Sequence, residues 1–364
     1  MPVIDSDYRC GPFFRNGHIQ TLYPPLVRKR PEIRPETITL NTPDGDQLEL
    51  FLNSRHGARS LVIMTHGLES HGKEAGLLSF AQKLHARGYD TLTWSMRSCS
   101  KKVNRTPWFY IGCDYQDLKQ VIDTQSRNYA EVILVGFSLG GTITANYLGR
   151  EATRCNPKIK GCFLLSAPLE LHSFHESMRS RLNHFLYQRQ VVNSLLNKFI
   201  KKLEFVAFGN NVDPDRVKNA RTVDEIEEFL FAPMHGYQSA AHYRDSASAV
   251  PYLSQIPVPL YILSAKDDPF IDQRSLPYDT AREHDHIYLE VARHGGHMGF
   301  IKKKRESHHW YERRFFWFAN RIGGKKGVAL KSVDFLDRDR AVALPNTETD
   351  PARSRDASVA KRGS

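Results

Sequence analysis

The sequence predicts an α/β fold, in which a mostly parallel sheet is covered by helices on both faces and carries a helical cap insertion. Three observations predict it. Apolar runs of strand length alternate with stretches of helical spacing across residues 60–166, and a strand-like rhythm resumes over residues 258–291. One apolar run, Val132-Ile133-Leu134-Val135, passes through Gly136-Phe137-Ser138-Leu139-Gly140 directly into a helical stretch at 142–150. Between Pro168 and Pro257 the alternation stops and helical patterns replace it.

The elements follow in order. Residues 1–35 read as an N-terminal extension. Residues 36–54 read as a hairpin, because Thr37-Ile38-Thr39-Leu40 and Gln47-Leu48-Glu49-Leu50-Phe51 alternate around the turn Pro43-Asp44-Gly45-Asp46. Residues 60–64 form a buried strand that ends at Thr65-His66-Gly67-Leu68. Residues 76–87 are helical, with Leu77, Leu78, Phe80, Ala81 and Leu84 on one side. A strand at 90–96 and a helix at 116–127 precede the strand at 131–137 that feeds Ser138. Strands at 160–166, 258–264 and 287–291 complete the sheet, so 36–168 and 258–322 make the core and 169–257 the insertion.

The insertion holds helical patterns at 174–205, 223–231 and 237–249. An insertion of that length after a sheet strand is expected to cover the ligand end of the sheet. Its first part interleaves Phe185, Leu186, Val191, Val192, Leu195, Leu196, Phe199 and Ile200 with Arg179, Arg181, Arg189, Lys198, Lys201 and Lys202. That pattern reads first as an amphipathic helix packed on the core, and second as a face that meets acyl chains or a lipid surface. After Ile322, Gly323-Gly324-Lys325-Lys326 reads as a helix stop, and the polar, aromatic-poor tail of 323–364 is expected to be disordered.

Composition narrows the class of function. The chain has 364 residues, 40% hydrophobic and 25% charged, which suits a large globular core. A net charge of +11 favours anionic surfaces or acidic partners. No zinc-finger, RNA-binding or helix-turn-helix pattern accompanies that charge, so nucleic acid is not an expected partner. The run Lys302-Lys303-Lys304-Arg305 reads as a solvated face. The five cysteines, Cys10, Cys99, Cys113, Cys155 and Cys162, are widely spaced without C-x-x-C, which points to a reducing compartment. Residues 1–10 lack the apolar stretch of a signal peptide, and no apolar run approaches a membrane span. The expectation is a cytoplasmic protein, with peripheral membrane contact open to it through the basic amphipathic cap. The histidines lack metal-ligand spacing, so no metal is expected.

The chemistry centres on Ser138. In a strand–G-x-S-x-G–helix arrangement the serine sits on a strained, exposed turn, and Gly136, Gly140 and Gly141 remove side chains that would collide around it. A serine hydroxyl needs a base, and the base needs a carboxylate to fix its tautomer. Both lie downstream in the order Ser, Asp, His. His297 is the preferred base because Gly295 and Gly296 let its loop approach Ser138, and His294 is the second choice. Asp268 is the preferred acid because Pro269 stiffens the chain behind it, and Asp267 is the second choice. The backbone N–H groups of Leu68 and Leu139 are the expected oxyanion donors.

These residues together resemble the α/β-hydrolase group of bacterial YheT-like hydrolases and their eukaryotic phospholipase, acyltransferase and esterase relatives. Asn16-Gly17-His18-Ile19-Gln20-Thr21 resembles the group's N-G-H-x-Q-T motif, and Thr65-His66-Gly67-Leu68-Glu69 its H-G-L-E loop. Gly136-Phe137-Ser138-Leu139-Gly140-Gly141 resembles its G-x-S-L-G-G elbow. Ala265-Lys266-Asp267-Asp268-Pro269-Phe270 and His294-Gly295-Gly296-His297-Met298-Gly299-Phe300 resemble its A-x-D-D-P and H-G-G-H-x-G-F. The resemblance implies a triad of Ser138, Asp268 and His297 acting on carboxylic esters, with no cofactor. One departure stands out. Where the group reads R-G-C-S-G, this chain has Arg97-Ser98-Cys99-Ser100-Lys101. The leading expectation is therefore an esterase or lipase-like enzyme that takes short- to medium-chain acyl groups onto Ser138. Transfer of the acyl group to an alcohol or lipid is the alternative, and a non-catalytic binding protein of the same fold is the third reading.

Overall fold

The computed structural model describes residues 3–28, 31–55, 57–100, 103–301 and 308–323. Lys101, the basic run at 302–305, read from the sequence as a solvated face, and the tail from Gly324 onward, read as disordered, lie outside the described residues.

Nine strands form the sheet: β1 (Val3–Ile4), β2 (Glu36–Asn41), β3 (Gln47–Asn53), β4 (Ser60–Thr65), β5 (Asp90–Ser95), β6 (Glu131–Phe137), β7 (Ile159–Leu165), β8 (Leu260–Ala265) and β9 (Ile287–Ala292). Their order is β1-β9-β8-β7-β6-β4-β5-β3-β2. β3 is antiparallel to both β2 and β5, and every other pairing is parallel. Residues 3–28, read from the sequence as an extension, supply the β1 edge strand beside β9 and the helix α1 (Gly17–Val27). The alternation behind the strands is visible in the core. Ile63, Leu134, Leu164, Ile262 and Leu289 share one buried cluster on one face of the sheet. Burial of each such side chain stabilises the fold by about 1.5–3 kcal/mol.

Three helices link the central strands: α2 (Ala75–Ala86), α3 (Gln116–Gln125) and α4 (Leu139–Arg150). After β7 the chain forms α5 (Leu171–Met178), α6 (Arg181–Asn183), a π-helical turn (His184–Gln188) and α7 (Arg189–Leu203). The helical pattern at 174–205 is thus not one helix. Ser180 breaks it, because its hydroxyl caps the next helix by accepting from the Asn183 N–H at 3.2 Å. Then come α8 (Pro214–Lys218), α9 (Val223–Ile226), a second π-helical turn (Glu227–Phe231), α10 (Ala232–Met234) and α11 (Ala240–Ala247). Thr222 and Glu225 form a capping box at the start of α9. The last helices are α12 (Tyr278–Glu283) and α13 (Trp310–Ile322). α13 covers the second face of the sheet with aromatic edges: Phe315 lies 5.7 Å from Phe163, and Phe318 lies 5.6 Å from Tyr261.

The parallel register brings the carboxyl ends of β4, β6, β7, β8 and β9 to one edge. Thr65 pairs with Gly136, Phe137 with Leu165, Leu165 with Leu263, and Ala265 with Ala292. The segments carrying His66, Ser138, Asp268 and His297 therefore leave the sheet at the same end.

Candidate active site

Ser138 is the residue between β6 and α4, and its backbone takes φ 51° and ψ −128°. A side-chain-bearing residue holds such a conformation at a cost of about 1–3 kcal/mol. The surroundings hold it: the Ser138 N–H donates to the Leu165 carbonyl at 2.9 Å, and the Ser138 carbonyl accepts from the Gly141 N–H at 2.8 Å. The glycines are required by contact. A Cβ at Gly136 would lie 2.4 Å from the Gly141 Cα. A Cβ at Gly140 would lie 2.3 Å from the His66 carbonyl oxygen, so this glycine clears the exit of β4 as well as the turn itself. A Cβ at Gly141 would lie 2.5 Å from that of Ala167.

The Ser138 Oγ lies 2.8 Å from His297 Nε2. On the other side of the ring, Nδ1 lies 2.9 Å from Asp268 Oδ2 and 3.1 Å from Oδ1. An ionised carboxylate only accepts, so Nδ1–H donates to Asp268 and Nε2 is left to accept the serine proton. Asp268 is fully shielded from solvent and is also held by the Phe270 N–H, at 2.9 Å from Oδ1. The Phe270 ring and the imidazole pack in a T-shaped pair, with centroids 4.6 Å apart. The second-choice pair is brought together elsewhere. Asp267 Oδ1 accepts from the Gly296 N–H at 2.9 Å, and its Oδ2 lies 3.3 Å from His294 Nδ1. Burial raises the Asp267 carboxyl above its ordinary pKa, against the pull of that N–H and of His294.

Leu139 opens α4, where the first turn of N–H groups has no intrahelical acceptor and the helix dipole favours negative charge. Opposite it, a Cβ at Gly67 would lie 2.9 Å from the Ser138 Cβ, so the Gly67-Leu68 backbone abuts the serine. His66 fixes that loop. Its Nδ1–H donates to the Gly67 carbonyl at 2.8 Å, and its Nε2 accepts from the Met96 N–H at 3.1 Å. Burial drives its pKa down to about 3, so the ring is neutral.

Several residues at the site carry no role in a reading of the sequence alone. Gly17 sits so close to the acid loop that a Cβ there would be 1.8 Å from the Asp267 carbonyl oxygen. The Thr21 hydroxyl accepts from the His297 N–H at 2.9 Å and donates to the Gly17 carbonyl at 2.7 Å. Gln20 donates to the Phe14 carbonyl at 2.8 Å and accepts from the Ile301 N–H at 3.2 Å. His18 Nδ1 lies 3.0 Å from the Tyr187 hydroxyl. The N-G-H-I-Q-T stretch is thus a brace for the acid and histidine loops. The motif itself was the signal, but its contacts lie too far along the chain for spacing to reveal. Ser166 adds another brace, its Oγ accepting from the Met298 N–H at 3.1 Å. Beyond β5, Ser98 takes φ 63°, a conformation suited to the glycine it replaces. Arg97 anchors that loop, 2.7 Å from Asp117 and 2.5 Å from Asp44.

A cavity of about 620 Å³ opens from Ser138 and His297. Leu68 and Leu139 line it from the sheet, and Leu171, Met178, Tyr187, Val191, Leu195 and Phe231 line it from the segment after β7. Both π-helical turns contribute, through Tyr187 and through Glu227 and Phe231. The lining carboxylates are engaged. Glu69 lies 2.8 Å from Lys198 and accepts from Tyr110 at 2.7 Å, Glu74 caps α2, and Glu227 lies 2.7 Å from His175 and 2.8 Å from Arg244.

Residues 56–354 match the Hydrolase_4 family model, described as serine aminopeptidase, S33. The chain is 30% identical over 298 residues to YheT of Escherichia coli (strain K12), named only provisionally as an esterase, a match covering 79% of this chain and 85% of YheT. It is 26% identical to the phospholipase ABHD3 of Homo sapiens, over 83% of this chain and 75% of ABHD3. An esterase of Pyrococcus furiosus superposes with a TM-score of 0.53 at 16% identity, over 80% of this chain and 92% of the esterase, and so shares its fold.

Proposed function

The chain belongs to the Hydrolase_4 family of α/β-hydrolases, and on that premise we propose that it is a serine hydrolase of carboxylic esters working through an acyl-enzyme on Ser138. The observation that carries the reading is the continuous relay Ser138–His297–Asp268, at 2.8 Å and 2.9 Å, on the floor of an apolar cavity. His297 Nε2 takes the hydroxyl proton as Ser138 Oγ attacks the ester carbonyl. Asp268 stabilises the imidazolium through Nδ1–H. The Leu68 and Leu139 N–H groups receive the charge that develops on the carbonyl oxygen. His297 then gives the proton to the departing alcohol, and a water activated by the same ring releases the acid.

The cavity supports acyl substrates of short to medium length, because its walls are mostly aliphatic and aromatic and its volume is that of a small-molecule site. An aminopeptidase would need a free carboxylate for the substrate ammonium, and Glu69, Glu74 and Glu227 are already paired or capping. The helices from α5 to α11 act as the cap in this reading. No helix of the described residues is long and apolar enough to cross a membrane. The five cysteines are free, which fits a reducing compartment, and we place the protein in the cytoplasm or on its membrane face.

A fluorophosphonate probe tests the nucleophile: wild-type protein labels at Ser138 and Ser138→Ala does not. Folded wild-type protein that stays unlabelled rejects the proposal. Rates on p-nitrophenyl esters of rising chain length then define the acyl preference. Ester product formed on adding an alcohol would assign transfer in place of hydrolysis.

A further inference from the structure

Nine large hydrophobic side chains are exposed among the described residues, and seven of them fall in two short segments. Phe13, Leu22, Tyr23, Leu26 and Val27 belong to the α1 region, and Leu182 and Phe185 to α6 and the π-helical turn that follows it. Scattered singly, such residues need no explanation, but these are clustered. Leu22, Tyr23, Leu26 and Val27 recur at three- and four-residue spacing on one face of α1. Phe14 joins Phe13 to that face, with ring centroids 5.2 Å from Phe13 and 5.1 Å from Tyr23. Leu26 is 82% exposed and Phe185 68% exposed, an unfavourable placement in water alone.

The two segments meet at the mouth of the cavity. His18 of α1 contacts Tyr187 of the π-helical turn, and Leu22 and Pro25 line the cavity together with Gln190 and Val191. Their charge is of one sign. No Asp or Glu occurs from Tyr8 to Pro31, and Arg9 and Arg15 of this stretch are exposed. None occurs from Ser177 to Leu203 either, where Arg181 and Arg189 flank Phe185 on exposed positions. A second copy of this chain, with its net charge of +11, would bring like charges together on such a face. A nucleic acid would leave the aliphatic side chains without a partner.

We infer that the α1 face and the Leu182-Phe185 edge together dock on an anionic lipid surface, so that the cavity opens where lipid esters reside. Apolar side chains enter the acyl boundary and the flanking arginines meet the headgroups. The purpose of the contact rests on the ester-hydrolase reading, but the contact itself does not require catalysis.

The full chain carrying Ser138→Ala is sedimented at low salt with vesicles of phosphatidylcholine, or of phosphatidylcholine with phosphatidylglycerol. The expected result is binding to the mixed vesicles only, weakened by salt and reduced at least about tenfold by Leu26→Asp with Phe185→Asp. Neither residue lines the cavity, so the same pair on the Ser138 background leaves hydrolysis of a dissolved p-nitrophenyl ester unchanged. If the aspartates perturb thermal melting, Leu26→Ser with Phe185→Ser is used, and the loss of binding is again expected. Absent binding to mixed vesicles, or binding unaffected by these pairs, overturns the inference. So does a dimer dispersed by the same substitutions without vesicle binding. Failure of fluorophosphonate labelling with intact vesicle binding would reject the catalytic reading and leave the docking surface standing.

Discussion

At the scale of single residues, Asp267 and Asp268 show how neighbours in the chain divide two tasks. Asp268 is sealed from solvent against His297, whereas Asp267 ties down the Gly296 N–H and His294. Asp268→Asn removes the acceptor that sets the imidazole tautomer, and kcat is expected to fall by about ten-thousandfold. Asp267→Asn is expected to cost about 1–3 kcal/mol of stability, seen in urea unfolding, with a far smaller change in kcat. The reverse ranking would reassign the acid. Thr21 positions the histidine through the backbone, accepting from the His297 N–H. Thr21→Val leaves that N–H without its acceptor and is expected to lower kcat with little change in KM. Thr21→Ser keeps the hydroxyl and should restore turnover. Loss in Thr21→Ser with Thr21→Val unaffected would mean that packing of the methyl group, not the hydrogen bond, is what matters.

At the scale of elements, α7 reaches the loop that abuts the serine. Lys198 and Ser194, both on α7, bond the Glu69 carboxylate, and Tyr110 adds a third contact. Glu69 itself takes φ 53°, one residue after Leu68, so its side-chain contacts help hold the Gly67-Leu68 loop in shape. Lys198→Met leaves a poorly exposed carboxylate without its cation, and kcat/KM is expected to fall about tenfold or more. Combining it with Glu69→Gln should recover part of the loss, and a simple sum of the two effects would deny the coupling. This link was not legible in the sequence, because it joins positions 69 and 198 through side chains alone. The strand–serine–helix unit was legible because its determinants are local: apolar β6, two glycines and an uninterrupted α4. Helix α1 was not legible in the sequence, because Pro24 and Pro25, residues that ordinarily break a helix, occupy its last turn. The π-helical turns were hidden too, since one extra residue per turn leaves the apolar pattern of 184–188 and 227–231 nearly intact.

At the scale of the whole molecule, acid stability depends on a histidine that the sequence presents only as part of a turn. His66 joins the exits of β4 and β5 and must be neutral to accept from Met96 while donating to Gly67. Its pKa falls from 6.5 to about 3 on folding because burial penalises the charged ring. Between those values the unfolded chain carries a proton on this histidine that the folded protein does not. Its contribution is therefore full above pH 6.5 and is lost as pH falls toward 3, at about 1.4 kcal/mol per pH unit. His235, pushed down to about 4 by burial, acts with the same sign. Glu290 opposes both. Burial raises it from 4.5 to about 7, so its contribution is full below 4.5 and is lost as pH rises toward 7. The net curve of the wild type mixes these slopes, but His66→Gln isolates one of them, because the other groups cancel in the difference. The unfolding free energy of the wild type minus that of His66→Gln is expected to be flat above pH 6.5 and to shrink steadily below it. Denaturant titrations at half-unit steps of pH would measure it. A difference that stays constant across that range would mean that His66 is protonated in the folded protein as readily as in the unfolded chain, and that its hydrogen bonds to Gly67 and Met96 do not require the neutral ring.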